Sequence, residues 1–343
     1  MNDKDVLNAA IDWLVADRLP NDFSFTTCLK ALFKCDDVPL IARFLSEHFA
    51  WLRHNTAVAH EHIIEAFWLL KTEPVVVPGR VLQLGGTGGA GKSRRLNTTS
   101  LATLVAASVD SGWQIVKFGN SGQRTAGSTD FWEIALGIPG SSLNVARATS
   151  TLPTTGLAII HARTVIPLLG KLRAARQQVQ GPTVLNLVGP LLHPIYGEET
   201  MAAIGVFDEK FLMPVAHAMQ QLGLSGVVYS GTGEHGSWLD ELSSDGMTYV
   251  IGIGRNELYR PATLLTQYFS TSETVSAAVL DRLVQGDVEN PAARWVIENA
   301  AFLLAATGRP GSAPNAASVR EVTITLNNAV RNGSVKRLIE AYR

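Results

Sequence analysis

The sequence predicts an α/β fold with a mostly parallel central sheet, preceded by a helical segment. Apolar residues recur at helical spacing through residues 1–72, as Val6, Ala10 and Trp13 illustrate. From residue 80 onward, short apolar runs alternate with helical patterns, and a glycine-rich turn directly follows the first run. Strand, loop, helix and strand in that order are typical of an α/β unit with a parallel sheet.

The expected elements of this larger part can be placed in chain order. The pattern predicts a mostly helical stretch over 158–178. The sequence contains no repeat at a fixed period. Strands are expected at 80–84, 114–117, 184–188, 202–206, 226–229 and 247–251. Helices are expected at 97–109, 128–136, 211–222, 274–283 and 291–306, with a last one ending near Tyr342.

Composition limits the classes of function. The 343 residues are 46% hydrophobic and 17% charged, which suffices for a large core and argues against disorder. The formal net charge is −1, whereas proteins that hold nucleic acid through many phosphates usually carry a basic excess. The chain opens without a basic-then-apolar signal segment, and the apolar run 157–169 is too short to span a bilayer. A cytoplasmic protein without a membrane or nucleic-acid partner is expected.

The glycine-rich turn at 85–93 is the first candidate site. Glycines let a backbone turn sharply and bring its amides against phosphate oxygens, and the N-terminus of the next helix adds free amides and a favourable dipole. Thr98, Thr99 and Ser100 supply hydroxyl groups at that helix start. The turn therefore predicts a phosphate site, although a tight strand-to-helix turn with a good N-cap would use some of the same residues.

The same turn also satisfies the short pattern of a P-loop nucleotide-binding site. Gly86, four residues, then Gly91, Lys92 and Ser93 give GxxxxGK(S/T), which by itself favours an ATPase. The helix expected after Ser93 begins instead with two arginines and a second capping-like cluster. No later strand ends in the apolar run and Asp that would hold the magnesium of such an enzyme.

Several motifs in one order resemble the anthranilate phosphoribosyltransferases and, more distantly, the pyrimidine nucleoside phosphorylases. Six motifs of the family have counterparts in this chain. In the family they read GTGGD, Asn-x-Ser-Thr, Lys-His-Gly-Asn-Arg, Gly-Ser-Ala-Asp, FNLLGPLTNP and Leu-Asp-Glu. The counterparts are Gly86-Thr-Gly-Gly89, Asn97-Thr-Thr99-Ser100, Lys117-Phe-Gly119-Asn120-Ser121, Gly127-Ser128-Thr-Asp130, Leu185-Asn-Leu-Val-Gly-Pro-Leu-Leu-His-Pro194 and Leu239-Asp240-Glu241.

The resemblance implies a layout. A small helical domain at 1–75, joined by a helical segment around 155–180, would stand beside an α/β domain formed by 76–154 and 181–343. The active site would lie in the cleft between them, and the family usually forms homodimers through the helical domain.

The resemblance also implies roles for individual residues in transfer from phosphoribosyl pyrophosphate. Lys117 would add a cation at the departing pyrophosphate, Asp240 and Glu241 would bind Mg²⁺, and Arg176 would contact the acceptor's carboxylate. Solvated positions for Lys117 and Arg176, and an N-terminal helix turn for the acidic pair, are the structural alternatives. The substrate-binding residues would be Gly86, Thr87, Gly88, Gly89, Asn97, Thr99, Ser100, Asn120, Ser128 and Arg176.

Departures from the family's pattern fall on the acceptor side. The turn's Asp is Ala90 here, the histidine after the strand lysine is Phe118, the arginine after Gly-Asn is Ser121, and a His-Pro pair becomes Ile166-Pro167. We therefore expect an aromatic or heteroaromatic acceptor other than anthranilate. His161 and His193 are interpreted as satisfied core or loop residues.

Two further functions remain open at this stage. A non-catalytic, nucleic-acid-binding member of the same fold is weakly favoured by the basic cluster at 92–95 and opposed by Asp240, Glu241 and the net charge of −1. Nucleoside phosphorolysis would need the glycine turn but not the acidic pair.

Overall fold

The structure is a computed structural model, and the residues it describes are 2–88, 96–120, 127–233, 237–243, 246–254, 257–258, 262–265, 275–308 and 313–343. Gly89, Ala90, Ser121 and the cluster at 92–95 lie outside these residues, and so do the Lys92 and Ser93 of the P-loop pattern.

The N-terminal segment is helical, as expected. Its start signals are side chains that accept hydrogen bonds from the free amides of the first turn. Asn2 and Asp5 form a reciprocal capping box, Ser24 accepts from the Thr27 amide, and Asp37 accepts from the Leu40 amide. The helices are α1 (Asp3–Val15), α2 (Phe25–Lys34), α3 (Val38–His54) and α4 (Ala59–Leu70).

The strands of the larger part confirm the α/β expectation. The described strands comprise a small parallel pair and one large sheet: β1 (Val75–Val76), β2 (Arg80–Gly86), β3 (Gln114–Gly119), β4 (Leu157–His161), β5 (Ile195–Tyr196), β6 (Glu199–Gly205), β7 (Ser225–Thr232), β8 (Trp238–Leu239), β9 (Met247–Ile253) and β10 (Ala262–Leu265). The large sheet has the order β10-β9-β7-β6-β2-β3-β4, with β8 beside β7.

The direction of the strands decides where a site can form. Strands β7, β6, β2, β3 and β4 are parallel, whereas β8, β9 and β10 run antiparallel to their neighbours. Because parallel strands end at one edge, the segments after β2, β3, β4 and β6 leave the sheet on the same side. Ligands of open α/β sheets bind at that carboxyl edge.

Helices cover both faces of the sheet. Val81 and Val116 face a core shared with α1–α4, whereas Leu82, Leu84 and Ile115 face a second core. The remaining helices are α5 (Thr98–Ala107), α6 (Ser128–Leu136), α7 (Val145–Thr155), α8 (Ala162–Val165), α9 (Pro167–Lys171), α10 (Arg173–Gln178), α11 (Val184–Val188), α12 (Leu212–Gln221), α13 (Ser276–Gln285), α14 (Pro291–Ala305), α15 (Ala316–Arg331) and α16 (Ser334–Tyr342).

Two expected elements are wrong in type. Residues 184–188 form helix α11 instead of a strand, because Thr183 and Asn186 make a capping box that starts a helical turn. The stretch expected to be helical from 158 begins with strand β4, whose five residues are all buried and pair with β3. Short apolar runs of this length do not distinguish a buried strand from a buried helix.

Two contacts connect the helical segment with the rest of the structure. Strands β1 and β5 pair in parallel, with Val75 opposite Ile195; β1 follows α4 and β5 follows α11. Arg53 of α3 forms an ion pair with the Asp208 carboxylate after β6, at 3.0 Å. The division into a helical domain at 1–75, joined by a helical segment around 155–180, and an α/β domain at 76–154 and 181–343 remains a prediction. Within the described residues, none of the helices has both the length and the apolar character needed to cross a membrane.

The junction of β6 and β7 provides a stability prediction. Gly226 has φ +141°, and a Cβ there would collide with the backbone oxygen of Ala202 on the neighbouring strand. We expect Gly226→Ala to lower the free energy of unfolding by about 3 kcal/mol, measured by urea denaturation.

Gly181→Ala is the matched control, since a Cβ at Gly181 meets no atom within 4 Å. That variant should stay within about 0.5 kcal/mol of the parent. Equal losses in the two variants would contradict the steric explanation.

Candidate active site

The glycine turn begins where β2 ends, and Thr87 fixes it to the neighbouring strand. The Thr87 amide donates to the carbonyl of Gly205 at 2.9 Å, and its hydroxyl accepts from the amide of Phe207 at 3.0 Å. Gly88 follows with φ +62°, a left-handed conformation that glycine adopts without steric cost. The turn is therefore anchored up to Gly88, and the predicted role of Gly89 lies outside the described residues.

The peptide group between Thr87 and Gly88 is held at both of its polar atoms. Asn186 Nδ2 donates to the Thr87 carbonyl oxygen at 3.0 Å. The Gly88 amide donates to Asp240 Oδ2 at 2.8 Å. Two side chains far apart in sequence thus set the direction in which this amide points.

Asp240 and Glu241 are both buried at the carboxyl edge of the sheet, directly after β8. Glycines at the ends of β2 and β6 make room for Asp240: a Cβ on Gly86 would lie 2.5 Å from its Oδ2, and one on Gly205 would collide with its backbone oxygen. Asp240 Oδ1 is buried and makes no hydrogen bond within the described part of the chain. An ionised oxygen in that state is costly to bury unless a cation or a donor binds it.

The start of α5 supplies the polar residues predicted to hold phosphate. Asn97, Thr99 and Ser100 are all buried there. The backbone N–H of Asn97 donates to Ser276 Oγ at 2.9 Å, and Ser100 Oγ donates to Ser128 Oγ at 3.2 Å. The fold therefore brings together Ser100 and Ser128, which are 28 residues apart in sequence.

Lys117 lies near the carboxyl end of β3, and Asn120 directly follows this strand. Lys117 is only 4% exposed, so the alternative of a solvated lysine is wrong. Gly119 approaches Ser128 so closely that a Cβ on Gly119 would lie 2.7 Å from the hydroxyl oxygen. The Asn120 carbonyl accepts from the Thr129 amide at 3.3 Å, which ties the end of β3 to the start of α6.

Arg176 is connected to the glycine turn through Asn186. The guanidinium Nη2 donates to Asn186 Oδ1 at 3.4 Å, and this amide's nitrogen in turn holds Thr87. The side chain is half-buried, and desolvation lowers its pKa to about 10, which leaves it charged at neutral pH. The predicted acceptor contact and the predicted phosphate turn are thus joined by one residue.

His161, at the end of β4, is a satisfied buried residue, as interpreted from the sequence. Its Nδ1 lies 2.6 Å from Thr129 Oγ1, and Arg163 Nε donates to its Nε2 at 2.9 Å. Because a guanidinium is donor only, Nε2 must accept and the ring proton sits on Nδ1. Burial, and next the charge of Arg163, lower the pKa of His161 to about 4.

His193 does not fit that interpretation. Both ring nitrogens are buried, and neither has a hydrogen-bond partner of good geometry among the described residues. The backbone of Pro190 nevertheless acts to raise the pKa of the ring. Burial, and next the charge of Lys117, lower its pKa to about 3. The ring lies 5.7 Å from that of Phe118, and Phe118 and Ile166 are themselves buried.

Sequence reasoning missed Asn186, which lies inside the quoted motif at 185–194 but carried no predicted role. Its spacing of three from Thr183, a capping-box spacing, was the available signal. No short sequence pattern indicates that Gly205 is needed to make room for Asp240, because the two residues are far apart in the chain. Within the described residues, no group of three or more His, Cys, Asp and Glu side chains could hold a metal by itself.

Residues 79–334 match the model of the glycosyl transferase family, a/b domain. The chain belongs to this family. It is 27% identical over 299 residues to the anthranilate phosphoribosyltransferase of Chlorobium phaeovibrioides, and the matched region covers 84% of this chain and 81% of that protein. It is 35% identical over 191 residues to the enzyme of the same name from Pyrobaculum arsenaticum, 54% of either chain. The family resemblance stated from the motifs is confirmed.

Solved structures of this family share the fold. The crystal structure of the Thermus thermophilus anthranilate phosphoribosyltransferase has a TM-score of 0.71 and 26% identity, and the match covers 97% of this chain and 98% of that one. The Saccharomyces cerevisiae enzyme in complex with PRPP and Mg has a TM-score of 0.76 and 21% identity, over 99% of this chain and 97% of that one. The α/β fold class and the family of transferases are therefore as expected.

The buried histidines generate a pH prediction. The pKa values of His161 and His193 fall from 6.5 to about 4 and about 3, so the unfolded chain binds more protons below pH 6.5. The stabilisation is complete above pH 6.5 and is lost as the pH falls toward 4 for His161 and toward 3 for His193, at about 1.4 kcal/mol per pH unit for each histidine.

Urea denaturation at several pH values measures this slope. His193→Leu should make it shallower by one histidine's contribution. An unaltered slope in His193→Leu would contradict the assigned protonation state.

Proposed function

We propose that this chain is a Mg²⁺-dependent phosphoribosyltransferase that transfers the phosphoribosyl group of phosphoribosyl pyrophosphate to an aromatic acceptor. The observation that carries the proposal is the arrangement at Gly88. A backbone amide of the glycine turn points at a buried carboxylate, and the other oxygen of that carboxylate has no hydrogen-bond partner among the described residues. Anion-binding amides and a cation-binding oxygen therefore share one side of the sheet.

The donor's pyrophosphate would bind at the turn and at the start of α5. The Gly88 amide, together with Asn97, Thr99 and Ser100, would face its oxygens, whereas the Thr87 amide is bound to the Gly205 carbonyl. The expected contribution of Gly89 lies outside the described residues. The hydroxyl of Ser128 lies next to that of Ser100, at 3.2 Å, and would extend the same surface. The Gly88 amide donates to Asp240 Oδ2, and a phosphate oxygen would take the place of this carboxylate oxygen.

The residues present fit a magnesium ion that is shared with phosphate. Asp240 and Glu241 are adjacent carboxylates, and hard oxygen ligands of this kind suit Mg²⁺, which commonly completes its shell with phosphate oxygens and water. Room for Asp240 exists because Gly86 and Gly205 have no side chain. When bound, the ion would neutralise charge on the departing pyrophosphate.

The chain's own residues would orient the reaction. The bond between the anomeric carbon and the pyrophosphate oxygen breaks, its electron pair leaves with pyrophosphate, and the acceptor's nucleophilic atom bonds to the same carbon. Lys117, buried beside this edge, would stabilise the negative charge that develops on the leaving group. The amides of the turn would hold the phosphates in line for that displacement.

The acceptor is the finer part of the proposal. The named relatives are anthranilate phosphoribosyltransferases, and a solved relative from Saccharomyces cerevisiae is in complex with 4-fluoroanthranilate. The expectation of a different acceptor finds no support in these relatives and rests on the buried Phe118 and Ile166 alone. Arg176 would contact an acceptor carboxylate, so we propose an aromatic acid whose remaining contacts are more apolar than those of the family.

The alternative functions receive less support. A nucleic-acid-binding member without catalysis, or a phosphorylase without a metal, would not need two adjacent buried acidic residues, one of them bound to the glycine turn. Homodimer formation remains a prediction from the resemblance, and a cytoplasmic location remains a prediction from the sequence.

Calorimetry tests the donor site. Phosphoribosyl pyrophosphate should bind in the presence of Mg²⁺ and bind far more weakly in EDTA. The double variant Asp240→Asn, Glu241→Gln should lose turnover by about a hundredfold or more while keeping its fold, because both metal ligands are gone. Circular dichroism checks the fold. No heat with the donor in either buffer, or unchanged turnover in the variant, would contradict the proposal.

The acceptor proposal has its own test. Aromatic acids and nucleobases are screened with the donor and Mg²⁺, and products are detected by mass spectrometry. If Phe118 and Ile166 disfavour anthranilate, the double variant Phe118→His, Ile166→His should raise kcat/KM for anthranilate, about tenfold for each hydrogen bond that a new imidazole makes to the acceptor. A value equal to or below that of the parent would show that these two positions do not set acceptor choice.

A further inference from the structure

Asn186 stands where three parts of the site meet. Its Nδ2 donates to the carbonyl of Thr87, and its Oδ1 accepts from Arg176 Nη2 at 3.4 Å. The same Oδ1 accepts from the backbone amide of Thr183 at 2.9 Å, which starts α11. The amide side chain therefore has a fixed orientation, with its oxygen toward the helix and its nitrogen toward the turn.

The contact with Thr87 controls a donor on the other side of the same peptide. A peptide group is planar, so the direction of the Thr87 carbonyl sets the direction of the Gly88 N–H. That N–H points at Asp240 Oδ2, 2.8 Å away. Gly88 has φ +62°, and as a glycine it could also adopt the conformations that follow a flip of this peptide. Without a donor at Asn186, the peptide would lose the contact at its oxygen and keep only the one between the Gly88 N–H and Asp240.

We infer that Asn186 is the positioning residue of the phosphate turn, holding the Thr87–Gly88 peptide so that its N–H faces the anion that the site binds. The inference rests on the proposed function and adds to it a residue that touches neither the reacting atoms nor the metal. Asn186 also links this peptide to Arg176, so the donor turn and the acceptor arginine share one anchor.

Asn186→Asp is the decisive variant, because it keeps the shape and the oxygen that caps α11 but replaces the donor by a second oxygen. Two oxygens would then face each other at Thr87, and the peptide should turn away. Inorganic pyrophosphate with Mg²⁺ is the probe, measured by calorimetry. At pH 8 we expect the variant to bind it about tenfold or more weakly than the parent.

Protonation separates this mechanism from simple damage. At lower pH the new carboxyl group gains a proton and can again donate to the Thr87 carbonyl. The ratio of the dissociation constants of variant and parent should therefore shrink as the pH falls from 8 toward 5.5. Because the ratio is used, the titration of pyrophosphate itself cancels. A constant ratio would overturn the inference.

Thr183→Val is the matched control. It removes the hydroxyl that donates to Asn186 Oδ1 at 3.3 Å and weakens the same helix start, but it leaves the contact with Thr87. We expect its pyrophosphate affinity to stay within about twofold of the parent while its Tm falls. Loss of affinity equal to that of Asn186→Asp would mean that the effect passes through the helix, and would overturn the inference.

Asn186→Ala keeps the test independent of how well Asn186→Asp folds. It removes the donor without adding charge, and should weaken binding about threefold to tenfold, with no recovery at low pH. If the parent itself binds no pyrophosphate with Mg²⁺, the proposed function fails. If the parent binds but both Asn186 variants bind equally well, only the role of Asn186 fails.

Discussion

The candidate site depends on one peptide group, between Thr87 and Gly88, that is held from both sides. Asn186 donates to its oxygen and Asp240 accepts from its nitrogen. Without these two contacts the glycines of the turn would have many conformations available, and an amide would be as free to face the solvent as the site. A flexible sequence thus becomes a directed hydrogen-bond donor because residues 99 and 152 positions away fix it.

Close packing at the sheet edge makes this arrangement possible. The carboxyl ends of β2 and β6 carry Gly86 and Gly205, and the space of their absent side chains is filled by Asp240. At the end of β3, the missing side chain of Gly119 likewise leaves room for Ser128. The parallel strands bring these ends to one edge, and the glycines let polar side chains lie directly against the backbone.

Burial decides which polar groups stay neutral and which carry charge. His161 and His193 have pKa values well below 6.5 and are neutral, whereas Arg176 remains charged at neutral pH although desolvation lowers its pKa. Lys117 is almost fully buried, so its charge acts in a medium that screens weakly. Such a setting strengthens the attraction between a cation and a phosphate group.

The sequence by itself determined the fold class, the family and the glycine turn, because hydrophobic period and ordered motifs are local properties of the chain. It misassigned 184–188 and the start of 158–178, since a five-residue apolar run fits a buried strand and a buried helix equally well. Only the tertiary structure revealed Asn186 as a link between Thr87 and Arg176, the burial of Lys117, and the buried ring of His193 beside Phe118. These depend on contacts between residues distant in the chain, and a local pattern carries no record of them.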